Sequence, residues 1–449
     1  MGGVRGRKIS KRALTMDAGS LTFLIFLFLI AFLASGTAIF VAIICTCVVS
    51  MTIFLGFDIH RIGAALARIM IRSSSAWELS AIPLFIWMGE IVYRTTMVEG
   101  LFKGLAHFAR RLPGGLLHTN VFGSAMFAAV CGSSTATTAT VGKIFLGELN
   151  RRGYDRSIAI GSLAGSGTLG LLIPPSIIMI VYGLLAQVSI IQLFAAGLLP
   201  GLLIAGLYSL YIAFRAPRLV APVQHEQTPQ IPTWRAFVYL LPVLSLMLLV
   251  LGSIYSGWAT PSESAMIGVA GALLLTALRG ELSLRLLRDT LLGAVPVSCM
   301  IVLLMASAAF LSMTMGFLHI PQDVARFIGM FDLGPYGLLL LLAVFYLILG
   351  LLLDGISITV MTLPITLPLV IANGIDPLWF GVFLVIMVEL AMITPPVGFN
   401  LFVIQGIAGE TILRIARHAF PFFLLMCLAA VLVTIFPQIA LWLPHVLFH

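Results

Sequence analysis

The sequence predicts an all-α protein that crosses a membrane several times. Of its 449 residues, 60% are hydrophobic and only 9% are charged, and the mean hydropathy is +1.12. Soluble domains carry charge on about a quarter of their residues. The segment from Ser20 to Phe57 runs for 38 residues without Asp, Glu, Lys or Arg, which is enough for two crossings of about 20 apolar residues each. A transmembrane β-barrel would instead show short alternating segments.

The net charge and the cysteines fit the same class. A formal charge of +8 would also suit a nucleic-acid-binding protein, but basic loop residues are what orient a membrane protein in its bilayer. We therefore expect a lipid bilayer and no nucleic acid around this chain. The cysteines lie scattered in apolar segments without paired metal spacing, so we interpret them as small core residues.

The chain divides into a basic tail, two long apolar halves and a polar linker. The tail covers residues 1–15 and contains five Lys and Arg residues. It is either a cytoplasmic extension or not part of the native start. The first half covers residues 16–214, a cytoplasmic linker rich in Pro and Arg covers 215–235, and the second half covers 236–449.

Apolar segments follow one another through the first half in the order of a polytopic protein. Two apolar pieces, 116–131 and 134–149, are too short and too polar at their joint to be ordinary crossings. They predict a re-entrant hairpin. The other predicted elements are spans near 20–36, 38–56 and 79–95, an amphipathic interfacial helix at 97–111, a helix broken around 165–176 and a helix at 190–214.

Two small, polar stretches inside these apolar segments predict the lining of a site. The first is the Ser- and Thr-rich run Gly132–Gly142, and the second is Gly165–Ser176. Helix-breaking residues are tolerated at membrane depth where the freed backbone is buried in protein or lines a cavity. The alternative is that these small residues serve helix packing. The candidate site residues of this half are Gly132, Ser133, Ser134, Thr135, Gly165, Ser166, Gly167, Thr168, Pro174 and Pro175.

The second half repeats landmarks of the first. A second apolar pair, 335–352 and 356–372, flanks a tip at Asp354. The prolines that recur at a spacing of 221 positions are Pro174 and Pro395, Pro175 and Pro396, and Pro200 and Pro421. An odd number of spans separates the equivalents, so the second copy is inverted. Inverted repeats with broken helices that meet at mid-membrane are the architecture of secondary transporters.

Two carboxylates and a hydroxyl group extend the candidate site into the second half. Asp354 and Glu389 stand among apolar neighbours, and intramembrane carboxylates are costly and usually functional. Asp354 could instead cap the helix that begins near Ile356. We expect Glu389 to be buried against a hydroxyl group or a cation. The candidate site residues of this half are Asp354, Gly355, Ile356, Ser357, Glu389, Thr394, Pro395, Pro396 and Asn400.

These groups indicate ion and substrate binding rather than catalysis. Helix N-termini at breaks offer N–H groups to anions, while unwound carbonyls and hydroxyl groups offer oxygen ligands to Na⁺. We expect two Na⁺ sites with a substrate between them and no other cofactor. The Gly165–Gly170 match to a dinucleotide fingerprint lies in a membrane helix rather than a βαβ unit, and no Walker A sequence is present. An intramembrane hydrolase would need a Ser and His pair that the sequence does not offer, so we expect no enzyme.

The distribution of Lys and Arg predicts the orientation. If the first hairpin opens to the cytoplasm, sixteen Lys and Arg residues lie inside and four lie outside, apart from the tail. Arg151 is then cytoplasmic, and the turn at Ile375 and Asp376 is periplasmic. The charges of the tail contradict this orientation, and we give the loops more weight.

Several longer motifs occur in a characteristic order. In the first half they include Gly132-Ser-Ser-x-Ala-Thr-x-Ala-Thr-x-Gly142 and Gly167-Thr-Leu-Gly-x-Leu-Ile-Pro-Pro-Ser176. In the second half they include Leu353-Asp-Gly355 and Glu389-x-Ala-x-Ile-Thr-Pro-Pro-Val-Gly-Phe-Asn400. Together these motifs resemble the large membrane subunit of tripartite ATP-independent periplasmic (TRAP) transporters, over nearly the whole chain from Met16.

The resemblance implies an elevator-type, Na⁺-coupled importer in the bacterial inner membrane, whose two hairpins and two broken helices form the moving domain. It also implies a small four-helix membrane subunit and a soluble periplasmic binding protein that delivers an organic acid. A stand-alone Na⁺/dicarboxylate symporter, which needs no binding protein, is the alternative. The cation regions of the family fall on Ser133, Ser134, Gly165–Thr168, Asp354–Ser357 and Thr394–Pro396. Within them we assign Na⁺ to Ser133, Ser134, Thr168, Asp354 and Thr394.

Overall fold

The fold is all-α in the part of the chain that the structure describes. The structure is a computed structural model, and it describes residues 18–215, 231–331, 333–396 and 398–448. Six helices in these ranges are long and apolar enough to cross a membrane, so the chain is a multi-pass membrane protein, as predicted. The predicted basic tail and residues 216–230 of the predicted linker lie outside the described residues.

The helices of the first half agree with the predicted spans and include one that the sequence analysis does not predict. They are α1 (Ala18–Ala34), α2 (Ile39–Leu55), α3 (Ile59–Ser74), α4 (Ala81–Tyr93), α5 (Met97–Ala109), α6 (Leu117–Cys131), α7 (Ser134–Arg151), α8 (Arg156–Gly167), α9 (Ile177–Ala186) and α10 (Ile190–Arg215). The additional helix is α3. Its Arg61, Arg68 and Arg72 follow at spacings of seven and four residues and so share one face, as in an interfacial amphipathic helix.

In the second half only the apolar pair has predicted bounds, and the other helices, among them the short amphipathic α14, are findings of the structure. The helices of this half are α11 (Thr233–Tyr255), α12 (Pro261–Leu278), α13 (Leu284–Phe317), α14 (Ile320–Gly329), α15 (Pro335–Leu349), α16 (Gly355–Ala372), α17 (Pro377–Met392), α18 (Phe399–Ala408), α19 (Ile412–Ile435) and α20 (Gln438–Phe448). The predicted apolar pair of this half is confirmed as α15 and α16.

Polar side chains fix the starts of the helices around the first break. Asp155 accepts hydrogen bonds from the N–H groups of Ser157, at 2.8 Å, and Ile158, at 3.2 Å, where α8 begins. Ser176 accepts a hydrogen bond from the N–H group of Met179 at 3.4 Å, where α9 begins. Such caps pair N–H groups that have no partner within the helix. The apolar sequence can therefore stop and restart a helix inside a buried segment.

The chain forms two compact units, of which the first is the smaller. Among the described residues it comprises 18–76, 299–331, 333–340 and Thr359–Asp376. Within it, α1 packs against α2 and α14. The ring of Phe57 makes an edge contact with Phe317 at a centroid distance of 5.8 Å.

The second unit contains the first hairpin and both breaks. Among the described residues it comprises 77–215, 231–298, Leu341–Ile358, 377–396 and 398–448. Within it, α4 packs against α12, α5 against α11, and α8 against α19. The hairpin of α6 and α7 packs against α8, and α7 also contacts α18. The polar stretches that the sequence singles out in the first half therefore share one unit with Glu389 and Asn400.

Candidate functional site

The tip of the first hairpin is built by a glycine and two serines. Gly132 ends α6 in the left-handed conformation, with φ of 62°, which glycine adopts without strain. Ser133 accepts a hydrogen bond from the N–H group of Ala136 at 3.4 Å and so caps α7. Its hydroxyl group lies 3.3 Å from that of Thr135. Ser134 is only 2% exposed.

The first broken helix passes directly beside this tip. Helix α8 ends at Gly167, a short 3₁₀ helix covers Thr168–Gly170, and the chain then stays non-helical until α9 begins. Pro174 and Pro175 lie in this non-helical segment and are buried. The predicted break is therefore confirmed. Burial within protein is the condition under which such irregular backbone is stable at membrane depth.

The tip and the break approach each other through their backbones. A Cβ atom on Gly132 would be 2.8 Å from the carbonyl oxygen of Pro175, and one on Gly170 would be 2.5 Å from the Cα atom of Ser134. Neither partner atom belongs to a flexible side chain, so both positions require glycine. The hydroxyl group of Ser134 lies 3.0 Å from the carbonyl oxygen of Gly167 and can donate to it.

Glu389 of α17 contacts both elements. Its side chain is fully buried. Oε2 lies 2.8 Å from the hydroxyl group of Ser134, and Oε1 accepts a hydrogen bond from the N–H group of Leu171 at 2.9 Å. The expectation that Glu389 is buried against a hydroxyl group is confirmed. Asn400 completes the group, because its Nδ2 donates to the Ser134 oxygen at 2.8 Å.

The oxygen atoms at this place fit a hard cation. They belong to the Ser134 hydroxyl group, the Gly167 carbonyl group and the Asn400 amide, with one carboxyl group beside them. Asn400 Oδ1 is buried and has no hydrogen-bond partner among the described residues. Thr168, assigned to Na⁺ from the resemblance, donates its hydroxyl group to the carbonyl oxygen of Gly165 at 2.6 Å, and its oxygen, which lies near the Tyr208 hydroxyl group, can also accept. Hydroxyl, amide and carbonyl oxygens are the ligands that hard cations and transported Na⁺ take.

Asp354, at the tip between α15 and α16, is a helix cap. Its Oδ2 accepts hydrogen bonds from the N–H groups of Ile356, at 3.1 Å, and Ser357, at 3.3 Å, and its Oδ1 accepts one from the Ser357 hydroxyl group. Of the two readings left open by the sequence, capping is confirmed. Gly355, next to it, is buried, and a Cβ atom there would be 2.4 Å from the side chain of Val388. The assignment of Na⁺ to Asp354 stays a prediction.

The second break lies between α17 and α18, where the proline pair predicts it. Pro395 and Pro396 are exposed, unlike the buried proline pair of the first half. Thr394 is half-buried, lies two residues beyond the end of α17, and donates its hydroxyl group to the carbonyl oxygen of Leu390 in the last turn of that helix at 2.6 Å. The hydrogen bonds of the described residues do not join Thr394 or Asp354 to the group around Ser134. The assignment of Na⁺ to Thr394 also stays a prediction.

Two buried pairs of polar side chains support the first hairpin and were not predicted as such. Asn120 of α6 donates to the hydroxyl oxygen of Ser162 of α8 at 2.9 Å. One turn further on, the hydroxyl group of Ser124 donates to that of Ser166 at 3.2 Å. The sequence analysis singled out Ser166 but none of its three companions. The four-residue spacing on each helix was the available signal, because it places both polar groups on one face.

A separate polar cleft of about 540 Å³ lies beside α7. Lys143 lines it, and its Nζ atom is 3.4 Å from the hydroxyl oxygen of Tyr93. Thr96 and Glu281 line another wall, where the backbone N–H group of Thr96 donates to Glu281 at 3.0 Å. The cleft shares no lining residue with the group around Ser134.

The helices and these buried breaks define a multi-pass membrane protein. The solved structure of the YdaH transporter from Alcanivorax borkumensis matches with a TM-score of 0.62 at 15% sequence identity, over 87% of this chain and 90% of that one. At this identity the match establishes the fold alone.

The sequence then establishes the family. A family model described as the tripartite ATP-independent periplasmic transporter, DctM component, matches residues 26–439, and the chain belongs to this family. It is 32% identical to the C4-dicarboxylate TRAP transporter large permease protein of Pseudomonas aeruginosa, over 85% of this chain and 89% of that protein. It is 29% identical to the ectoine/5-hydroxyectoine large permease protein of Ruegeria pomeroyi, over 94% and 99%. The chain is thus a TRAP transporter large permease and not an enzyme.

Proposed function

We propose that this permease imports an organic acid, as its carboxylate, and that the Na⁺ gradient drives this import. The observation that carries the proposal is the 3.0 Å approach of the Ser134 hydroxyl group to the carbonyl oxygen of Gly167. Oxygen atoms from a hairpin tip and from a broken helix converge there in buried surroundings. Unwound carbonyls and hydroxyl groups at such breaks are how secondary transporters bind Na⁺.

The groups that would hold Na⁺ at the first break are Ser134, the carbonyl group of Gly167, Thr168 and Oδ1 of Asn400. The free amide oxygen of Asn400 supports this set, because a buried acceptor without a partner is costly. We propose the second Na⁺ region at Asp354–Ser357 and Thr394, and the substrate between the two. A bound Na⁺ supplies positive charge in an apolar environment, which favours a neighbouring carboxylate.

We propose that the two halves are inverted repeats and that the moving domain of an elevator contains the hairpins and broken helices. Each half has a pair of helices around a polar tip, followed by a helix interrupted at a proline pair. The equivalent prolines recur at a spacing of 221 positions. This order of elements supports the repeat, and the resemblance to the family supports the elevator motion.

The proposed partners are a small four-helix membrane subunit and a periplasmic binding protein, and the proposed location is the bacterial inner membrane. The description of the family as tripartite supports two partners. The relatives are named for C4-dicarboxylate and for ectoine, so the permease alone does not define one substrate. We therefore propose the class of substrate, a small organic acid, rather than a single compound.

Uptake into proteoliposomes tests this proposal. The chain is reconstituted with its small subunit, the binding protein is added outside, and uptake of labelled succinate and other small carboxylates is followed. We expect uptake that requires a Na⁺ gradient and the binding protein and that does not respond to ATP. Uptake driven by ATP or by a proton gradient without Na⁺ would contradict Na⁺ coupling. Uptake by the chain alone would instead support a stand-alone symporter.

A further inference from the structure

Glu389 is the buried carboxyl group nearest to the proposed Na⁺ ligands. We infer that it is a positioning residue, which holds the first hairpin tip against the broken helix by hydrogen bonds, rather than a group that binds the transported ion through its charge. This role of Glu389 rests on the proposed function in one respect, because the measurement of Na⁺ dependence requires Na⁺-coupled uptake. The contacts of Glu389 with the hairpin tip and the broken helix can be tested without Na⁺.

The two carboxyl oxygens of Glu389 point to different segments of the chain. Oε2 lies 2.8 Å from the hydroxyl group of Ser134, on the hairpin tip, and Oε1 lies 2.9 Å from the N–H group of Leu171, in the break. Ser134 and Leu171 are 255 and 218 positions from Glu389 in the sequence. One side chain therefore connects three separate segments of the chain.

The broken helix needs an acceptor for the N–H group of Leu171. Helix α8 ends at Gly167 and the 3₁₀ helix ends at Gly170, so Leu171 is the first residue after the regular helical segment. Within the main chain, this N–H group faces only the carbonyl oxygen of Leu169, two residues back, and that oxygen already accepts from the N–H groups of Leu172 and Ile173. The segment is buried, and a buried N–H group without a good acceptor is costly. Glu389 supplies that acceptor from a different helix.

The side chain of Ser134 is held in place by three polar neighbours. Its hydroxyl group carries one hydrogen atom and is near two acceptors, Glu389 and the carbonyl oxygen of Gly167, while Asn400 donates to its oxygen. These contacts fix where the oxygen of Ser134 lies relative to Gly167. Ser134 and the carbonyl group of Gly167, which are proposed to bind one Na⁺, come from different elements. Their separation therefore depends on the hydrogen bonds that Glu389 makes to the hairpin tip and to the broken helix.

The contacts of Glu389 are those of a positioning residue rather than of an ion ligand. Both oxygens of Glu389 already face protein donors, whereas Oδ1 of Asn400 has no partner among the described residues. A glutamine at position 389 could keep both hydrogen bonds, because its Oε1 can accept from the N–H group of Leu171 and its Nε2 can donate to the hydroxyl oxygen of Ser134. It could not replace a charge that binds the ion. Aspartate is one methylene shorter and cannot reach both partners.

The experiment compares Glu389→Gln, Glu389→Asp and Glu389→Ala with Glu99→Ala as control. Glu99 is an exposed side chain on α5, near Lys103, and its loss tests whether any Glu variant impairs the protein. One measurement is hydrogen exchange of the peptide that contains Leu171, followed by mass spectrometry in detergent. The other is the Na⁺ concentration that gives half-maximal uptake.

We expect faster exchange at Leu171 in the Ala and Asp variants and wild-type exchange in the Gln variant. We expect the half-maximal Na⁺ concentration to rise roughly ten-fold or more in the Ala variant, because a buried hydrogen-bond partner is lost. In the Gln variant it should stay within about two-fold of wild type, a shift well below the ten-fold change that 1.4 kcal/mol produces. Glu99→Ala should match wild type in both measurements.

Two results would overturn the inference. One is a Gln variant in which Leu171 exchanges as slowly as in the wild type but the half-maximal Na⁺ concentration rises as much as in the Ala variant. The negative charge of Glu389 would then bind the ion. The other is unchanged exchange at Leu171 in both the Ala and Asp variants. If wild-type uptake proves independent of Na⁺, the proposed function fails. The exchange of Leu171 in the Gln and Asp variants still decides whether Glu389 holds the hairpin tip against the broken helix.

Discussion

Gly170 lies directly against Ser134. A Cβ atom on the glycine would be 2.5 Å from the Cα atom of Ser134 and 2.7 Å from the carbonyl oxygen of Ser133. These are backbone atoms, which cannot turn aside as the end of a flexible side chain can. The hairpin tip and the broken helix therefore touch through their main chains, and their separation has little tolerance.

The first prediction is that Gly170→Ala separates these two elements. The added methyl group must displace the tip by several tenths of an ångström, and overpacking of this kind typically costs about 1–3 kcal/mol. We expect a lower melting temperature in detergent and a lower initial rate of uptake. Gly147→Ala is the matched control, since Gly147 is an exposed helical glycine of α7 with no atom within 4 Å of an added Cβ. Equal behaviour of the two variants would mean that tip and break are not held together.

The main elements around this contact could be predicted from the sequence. Gly132 and Ser133 mark a helix end and a cap, and Pro174 and Pro395 mark positions where a helix cannot continue. These signals are local, because each depends on the conformational preference of one residue. Asp354 was also readable as a cap for the same reason. The hairpin ends and both breaks therefore follow from short stretches of sequence.

The contacts that bring the site together could not be predicted in the same way. Glu389 reaches Ser134 and Leu171 across more than two hundred positions, and the partner at Leu171 is a backbone N–H group that every residue except proline carries. Helix α3 was missed for a different reason. Its arginines, such as Arg61, lower its hydropathy below that of a membrane-spanning helix. An interfacial helix therefore does not stand out as an apolar segment.

The second prediction concerns the ion pair of Arg156 and Glu410. Nε of Arg156 lies 2.6 Å from Oε1 of Glu410, whose side chain is only 10% exposed, and Nη2 donates to the carbonyl oxygen of Ala408 at 2.6 Å. Arg156→Ala leaves a mostly buried carboxylate, with His418 Nε2 at 3.6 Å. A buried charged group that loses its partner costs about 1–3 kcal/mol or more.

The measurement for this pair is the melting temperature of the purified protein. Arg156→Ala should lower it clearly, and Arg156→Lys should lower it less, because lysine keeps the charge but not the fork of donors. Arg151→Ala is the control, since the Arg151 side chain is 79% exposed and surface ion pairs contribute about 0–1 kcal/mol. Similar melting temperatures for Arg156→Ala and Arg151→Ala would show that the pair contributes little to stability.

The third prediction is the orientation of the chain in the membrane. We expect Arg151 on the cytoplasmic side and the turn at Asp376, between α16 and α17, on the periplasmic side. Single cysteines at these positions, in a background without the native cysteines, are labelled by a membrane-impermeant thiol reagent from one side at a time. The background is needed because Cys299 is exposed. Labelling of both positions from the same side would contradict the inverted repeat.

The fourth prediction is that Ser134→Ala and Thr394→Ala weaken the Na⁺ dependence of uptake. Each change removes one hydroxyl oxygen from a proposed Na⁺ region while keeping the side chain small. Loss of a ligating or hydrogen-bonding group in a dry site costs on the order of 1–3 kcal/mol. The half-maximal Na⁺ concentration should therefore rise roughly five- to hundred-fold. Ser245→Ala is the control, because its hydroxyl group donates to the carbonyl oxygen of Pro242 within α11.

The two variants test the Na⁺ assignment with different strength. Ser134→Ala also removes the partner of Glu389 and of Asn400, so it can weaken Na⁺ binding indirectly, by loosening the hairpin tip. Among the described residues, Thr394 donates only to Leu390, four residues earlier at the end of α17, and loss of this local hydrogen bond should change the fold little. A shift of the Na⁺ dependence in Thr394→Ala with an unchanged melting temperature is therefore the more direct evidence for a ligand. If the half-maximal Na⁺ concentration is unchanged in both variants, with normal expression in the membrane, these residues are not Na⁺ ligands and serve helix packing instead.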